Sequence, residues 1–287
     1  MPNAYQGLPT DELDALIATL EREADGLREQ HLSLDMARGK PSAEQTALSR
    51  PMLDLICSSS DLTDGDAIVD NYGTPEGLPS ARALAARILG VDATNVVVAG
   101  SSSLNLMHDL VTHAFTNGVA GNKPFCRQGE VKWLCPAPGY DRHFAVTAHL
   151  GIKNVPVPMK DDGPDMEVVQ RLVESDPAVK GIWCVPKYAN PTGITYSDAV
   201  VRRFASLRPA APDFRIYWDN AYAVHSFAEG DDRLLDIFEA LAEAGASDLV
   251  YEFGSTAKVT FPSSGIAFVT ASPSDMAAIR QAFAVER

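Results

Sequence analysis

One lysine closes the stretch Gly254-Ser255-Thr256-Ala257-Lys258, where every neighbour is small and uncharged. An ammonium is poorly hydrated in such surroundings, and a lysine held there can act as a neutral amine toward an aldehyde. Upstream, Ile216-Tyr217-Trp218-Asp219-Asn220-Ala221-Tyr222 is an apolar strand pattern that ends in a carboxylate. An amine that captures an aldehyde and a carboxylate that keeps an aromatic ring nitrogen protonated are complementary parts of one chemistry. Taken singly, each has a plainer reading as a surface lysine or a helix-capping aspartate.

Other stretches offer matching groups. Gly100-Ser101-Ser102-Ser103 opens a helix, so its backbone N–H groups and hydroxyls suit a phosphate, although serine caps are common for structural reasons alone. Tyr140, after Pro138-Gly139, can lay its ring on a planar group or serve as a hydrophobic anchor. Asn190 and Tyr222 can each donate to a ring oxygen, while Asn190-Pro191-Thr192-Gly193 is also ordinary turn chemistry. His143 either supports Asp219 from behind or is a core histidine satisfied by backbone.

These residues need elements to place them. Leu13, Leu16, Ile17, Leu20 and Leu27 follow helical spacing over residues 10–30, with Thr10 as the expected cap. Glycine and proline then mark loops at residues 34–42 and 71–79, and a helix over residues 79–89 stops at Gly90. Strands are expected at residues 95–99, 131–135, 181–185, 214–218, 248–253 and 265–270. Helices are expected at residues 104–117, 140–150, 165–174, 197–207 and 232–244, and a last one is capped at Ser272. An extended piece at residues 152–158 contains Pro156 and Pro158, which suggests a sheet edge. Strands alternating with helices imply an α/β fold with a mostly parallel sheet sandwiched by helices. In such a sheet ligands bind outside the carboxyl ends of the strands, where nearly all these stretches fall.

Composition narrows the class. With 287 residues, of which 46% are hydrophobic, the chain can bury one large core or two modest ones. A formal charge of -14 disfavours nucleic-acid and acidic-membrane partners. Cys57, Cys126, Cys135 and Cys184 form no Cys-x-x-Cys pair, so neither a metal site nor a disulfide framework is indicated. No basic-then-apolar leader and no spanning apolar run stand out, and a cytoplasmic location is expected.

The set and its order resemble the fold-type-I pyridoxal-phosphate enzymes, specifically the class I aminotransferases and their aspartate aminotransferase-like subgroup. The carriers are Ala37-Arg38-Gly39-Lys40-Pro41-Ser42, Tyr72 with Gly77-Leu78-Pro79, Gly100-Ser101-Ser102-Ser103, Pro138-Gly139-Tyr140, Asn190-Pro191-Thr192-Gly193, Asp219 with Tyr222, and Ser255-Thr256-Ala257-Lys258. The resemblance implies that pyridoxal 5'-phosphate is bound as a Schiff base to Lys258, with Asp219 on its ring nitrogen. Asn190 and Tyr222 would bond the ring hydroxyl, Tyr140 would stack, and Ser101, Ser102, Ser103 and Ser255 would hold the phosphate. Tyr72 would reach the neighbouring subunit's phosphate, which implies a homodimer with shared sites, and Gly39 would lie near the substrate carboxylate. The substrates implied are an aspartate-like amino acid and a 2-oxo acid, 2-oxoglutarate in particular. Lys187 or Arg38 could meet a side-chain carboxylate, or be a solvated charge.

Residues 1–50 would form an N-terminal arm and part of a small domain, and residues 51–287 the large cofactor-binding domain. Two departures accompany the resemblance. Phe261-Pro262-Ser263-Ser264-Gly265-Ile266 lacks the family's phosphate-binding arginine, and the chain stops at Arg287, where the family continues into the rest of its small domain. The same lysine and aspartate also support a lyase or decarboxylase, and without the later segment a catalytically silent binding module is a further alternative.

Overall fold

The computed structural model describes Tyr5 and residues 7–33, 41–227 and 233–285. The chain divides into two compact units, residues 1–48 and 49–287. Helix α1 (Thr10–Glu29) lies in the first unit and buries none of its residues; Ile17, Leu20 and Leu27 are all exposed. Its cap differs from expectation. Thr10 is the first helical residue, and Pro9, held extended, occupies the cap position without a side-chain bond. Helix α2 (Ala43–Ser49) opens on a reciprocal pair. The Ser42 N–H donates to Gln45 Oε1 at 2.7 Å and the Gln45 N–H to Ser42 Oγ at 3.2 Å, a capping box absent from the expected elements.

In the second unit a short hairpin, β1 (Thr63–Asp64) with β2 (Ala67–Ile68), precedes α3 (Pro79–Leu89). Proline in its first turn and Gly90 in the left-handed region after it bound that helix as its sequence predicts. The rest alternates: β3 (Val96–Val98), α4 (Ser103–Asn117), β4 (Lys132–Ala137), α5 (Asp141–His149), β5 (Lys153–Lys160), β6 (Gly163–Pro164), α6 (Met166–Ser175) and β7 (Val179–Cys184). It continues with α7 (Asp198–Ala205), β8 (Arg215–Asp219), α8 (Ile237–Glu243), β9 (Val250–Ser255), β10 (Ala267–Ala271) and α9 (Pro273–Phe283). Helix α8 is shorter than expected. Its start is set by Asp236, whose carboxylate accepts from the N–H groups of Phe238 and Glu239; Asp232 lies outside the described residues.

The eight strands run in the order β3-β10-β9-β8-β7-β4-β5-β6. β9, β8, β7, β4 and β5 are mutually parallel, whereas β10 is antiparallel to both its neighbours and β6 antiparallel to β5. Only Met159 and Lys160 of β5 pair with β6, so Pro156 and Pro158 fall where its outer side is unpaired and no N–H is missed.

Side-chain alternation divides the core. Trp133, Trp183, Tyr217, Tyr251 and Phe253 pack beneath α4, α5 and α9, while Leu134, Ile182, Ile216, Trp218 and Val250 pack beneath α6, α7 and α8. Gly181 makes a tight join on the first face, since a Cβ there would fall 2.4 Å from the Trp133 ring. Arg215 at the start of β8 grips Asp275 in the first turn of α9 through two bonds of 2.8 Å, both residues buried.

Candidate active site

Asp219 ends β8 and alternates with Trp218, so its side chain joins the face that carries Tyr217 and is covered by α5. Helix α5 sets His143 against it, with Nε2 3.1 Å from Asp219 Oδ2 and the two residues only 1% and 5% exposed. A carboxylate only accepts, so His143 donates from Nε2. The imidazole is fixed by rings on two sides: Trp183 stacks on it at 4.8 Å and 19°, and Tyr140 meets it edge-on at 5.0 Å and 83°. Of the two readings open for His143, support of Asp219 is the one the structure adopts.

The second oxygen of Asp219, Oδ1, is buried and has no hydrogen-bond partner among the described residues. A buried carboxylate oxygen left bare is costly, and a donor from outside the chain, such as a protonated ring nitrogen, would satisfy it. That open acceptor suits the protonated pyridine nitrogen that pyridoxal 5'-phosphate would bring.

The loop after β8 leans toward β9 because the Asn220 N–H donates to the Phe253 carbonyl at 2.8 Å. It then tightens into a turn in which the His225 N–H donates to the Tyr222 carbonyl at 3.0 Å. Across from this turn, Lys258 Nζ donates to Tyr222 Oη at 3.0 Å and lies 4.1 Å from the ring centroid. Lys258 is held on a pinned loop: the Thr256 N–H donates to the Ile266 carbonyl, and the Ile266 N–H donates back to Thr256 Oγ1, both at 2.9 Å. Gly265 permits that closure, because a Cβ there would approach Thr256 Oγ1 to 2.7 Å. Phe261 to Ile266, where the resemblance anticipates a phosphate-binding arginine, contains none, and the Ile266 main chain serves to close the loop.

The serines converge through β10. The Ala267 N–H donates to the Gly100 carbonyl at 3.0 Å on one side, and Ala267 pairs with Ser255 on the other. This register brings the β3–α4 turn level with the end of β9. Gly100 has a φ of 59°, and Ser102 occupies the cap position of α4 with no side-chain cap bond, leaving hydroxyl and helix N-terminus available to an anion. Ser101 and Ser102 are half-buried and Ser103 is 8% exposed.

Asn190, in the loop after β7, shares a narrow cleft with Tyr140, His143 and Trp183. Tyr72 is fully exposed at 101% and joins none of these clusters within one chain. Gly39 and Arg38 lie outside the described residues. Lys187 is not a solvated charge: it is 8% exposed, points its ammonium at the Ala223 carbonyl at 3.4 Å, and lines a cleft of about 360 Å³ with Trp218 and Glu252. Trp218 belongs to the core opposite Asp219, so this cleft opens on the other face of the sheet.

Three residues near these clusters carry no sequence signal strong enough to single them out. Trp183 holds His143 but reads as one more apolar strand position. Glu252 is 4% exposed, accepts from Asn220 Nδ2 at 2.9 Å, and burial pushes its carboxyl up to about 8. His225 stands three residues after Tyr222, a spacing that places both in one turn and could have drawn attention to it. Among the described residues no group of His, Cys, Asp and Glu is arranged to hold a metal ion, and no helix is long and apolar enough to cross a membrane.

Comparison with known proteins follows the same outline. The family model described as aspartate amino-transferase matches residues 8–286. A Mycolicibacterium smegmatis relative, named only at the level of aminotransferase, is 44% identical over 277 residues, covering 96% of this chain and 65% of its own. An aspartate aminotransferase of Corynebacterium glutamicum is 39% identical over 266 residues, covering 92% and 61%. The crystal structure of an aspartate transaminase from Corynebacterium glutamicum superposes with a TM-score of 0.90 at 35% identity, covering 98% of this chain and 66% of that one. The chain thus spans a little under two thirds of the length of these relatives.

Proposed function

The chain belongs to the aspartate aminotransferase family, and from that premise we propose that it binds pyridoxal 5'-phosphate and moves an amino group between an aspartate-like amino acid and a 2-oxo acid such as 2-oxoglutarate. One observation carries the reading: the buried, unpartnered oxygen of Asp219, backed by His143, stands at the end of the strand beside the loop that presents Lys258 to Tyr222.

When bound, the cofactor supplies an aldehyde that takes up amino groups and a ring that accepts the electron pair released at the substrate's α-carbon. The chain's part is to hold and to move protons. Lys258 would hold the aldehyde carbon and, when substrate takes its place there, its freed amine would accept the α-proton and deliver it to that former aldehyde carbon. Asp219 keeps the proton on the ring nitrogen, and His143 keeps Asp219 in place. Tyr222 holds the Lys258 amine and, with Asn190, donates to the ring hydroxyl. Tyr140 stacks on the ring, and Ser101, Ser102, Ser103 and Ser255 bind the phosphate with the α4 N-terminus. Tyr72 would reach the site of a second copy, so the proposed active form is a homodimer, and its proposed location is the cytoplasm. Residues 1–50 serve as arm and part of a small domain, residues 51–287 as the large domain.

Borohydride reduction of the chain incubated with pyridoxal phosphate, followed by peptide mass spectrometry, is expected to leave the cofactor on Lys258. Lys258→Ala is expected to lose the adduct, the visible absorption and all amino transfer. An adduct retained by the variant, or absent from the unmodified chain, refutes the assignment.

A further inference from the structure

The turn that carries Tyr222 touches Lys258 twice. Tyr222 Oη accepts from the amine at 3.0 Å, and on the same turn the His225 ring lies against Tyr222 edge-on, at 5.5 Å and 81°, with Nε2 3.1 Å from the main-chain carbonyl of Lys258. A carbonyl only accepts, so this contact requires the proton of the neutral imidazole to sit on Nε2. Nδ1 is then an acceptor, and it is buried with no partner among the described residues, so no competing bond at that nitrogen draws the ring away.

We propose that His225 is a positioning residue for Lys258. It fixes the lysine's main chain to the turn whose tyrosine receives its amine. A lysine side chain has four rotatable bonds, so the Nζ–Oη contact fixes its tip and leaves the orientation of the Lys258 carbonyl to other bonds. With the carbonyl tied by His225, base and tip are both referred to one short turn, which is itself closed by the bond from His225 N–H to the Tyr222 carbonyl. Within the lysine's loop the Val259 and Thr260 N–H groups donate to the Thr256 carbonyl at 2.9 and 3.0 Å, which holds the N–H side of the Lys258–Val259 peptide, and His225 holds its carbonyl side. The inference rests on the proposed role of Lys258.

The test compares the unmodified chain with His225→Phe, which keeps a ring of similar size but no donor, and His225→Gln, whose amide can supply one. The readout is the rate at which pyridoxal phosphate becomes borohydride-stable on Lys258. His225→Phe is expected to slow that step about fivefold, the worth of one ordinary hydrogen bond, and His225→Gln to recover most of the loss. Equal rates for His225→Phe and the unmodified chain, or a His225→Gln as slow as His225→Phe, overturn the proposal. A nitrogen-15 spectrum of histidine-labelled unmodified chain gives an answer that needs no variant: the Nε2–H tautomer at His225 is expected, and the Nδ1–H tautomer overturns the contact. Failure of the unmodified chain to form any adduct strikes the proposed function instead, and the tautomer still decides the contact.

Discussion

At the scale of single residues, Glu252 shows how burial alone rewrites a side chain's chemistry. Its carboxyl is pushed up to about 8 from an ordinary 4.5, chiefly because the charged form loses water, with the Asn220 amide opposing that shift. Between those values the folded chain holds a proton that the unfolded chain has released. Stability therefore falls as pH rises through the window, at up to about 1.4 kcal/mol per pH unit. Glu252→Gln, which imitates the protonated carboxyl, is expected to flatten the slope and to be the more stable protein near pH 8. Urea midpoints for both proteins between about pH 5 and pH 8 check it; parallel pH profiles would show that Glu252 is charged when folded. Asp219 is a different case, a buried carboxylate with one oxygen held by His143 and the other bare. Asp219→Asn cannot hold a ring proton in the same way and is expected to slow α-proton removal by a hundredfold or more, about 2.7 kcal/mol of barrier, in a stopped-flow trace with deuterated substrate.

Elements act by bringing residues to a common level. The Trp133 indole of β4 lies over Gly181 of β7, with its Cζ2, Cη2 and Cε2 atoms 2.4 to 2.6 Å from where a Cβ would be. Gly181→Ala is expected to force that ring aside and destabilise the chain by about 1–3 kcal/mol, as overpacking does. Because Trp133 packs on Trp183 at 5.1 Å, and Trp183 stacks on His143, the displacement should also weaken cofactor binding. Thermal melting and a pyridoxal phosphate titration measure the two effects; loss of stability with unchanged affinity would mean the ring stack does not transmit to the site. The sequence did place these elements. Gly90 ended α3 and Ser272 capped α9, because caps are local and act within one turn. It misplaced the start of α1 and the span of α8, where Pro9 and Asp236 took the cap positions.

For the whole molecule, one exposed apolar stretch is the informative part. In the second unit Met52, Leu53, Leu55, Ile56 and Ile68 are each about half to three quarters exposed, at 49–73%, and Tyr72 nearby in sequence is wholly so. Apolar side chains gathered so densely in one stretch would suit an interaction surface. A homodimer would cover them and give Tyr72 a phosphate to bind. Sedimentation is expected to show twice 30.8 kDa, and Leu55→Asp with Ile56→Asp to give monomers with weakened cofactor affinity. Monomers that bind the cofactor as tightly as the unmodified protein would dispose of the shared site.

The sequence by itself determined which residues were chemically able, and that they would stand at the carboxyl ends of strands in an α/β sheet. Both follow from short-range physics: side-chain type, the periods of strand and helix, and the punctuation of glycine and proline. It could not determine partners. Asp219 and His143 are 76 residues apart, Lys258 and Tyr222 are 36 apart, and His225 meets the Lys258 carbonyl across 33. Each pairing depends on strand register and on which helix covers which face. Neither is encoded in any window of the chain, because both arise only when the sheet and its two helical layers close around a common core.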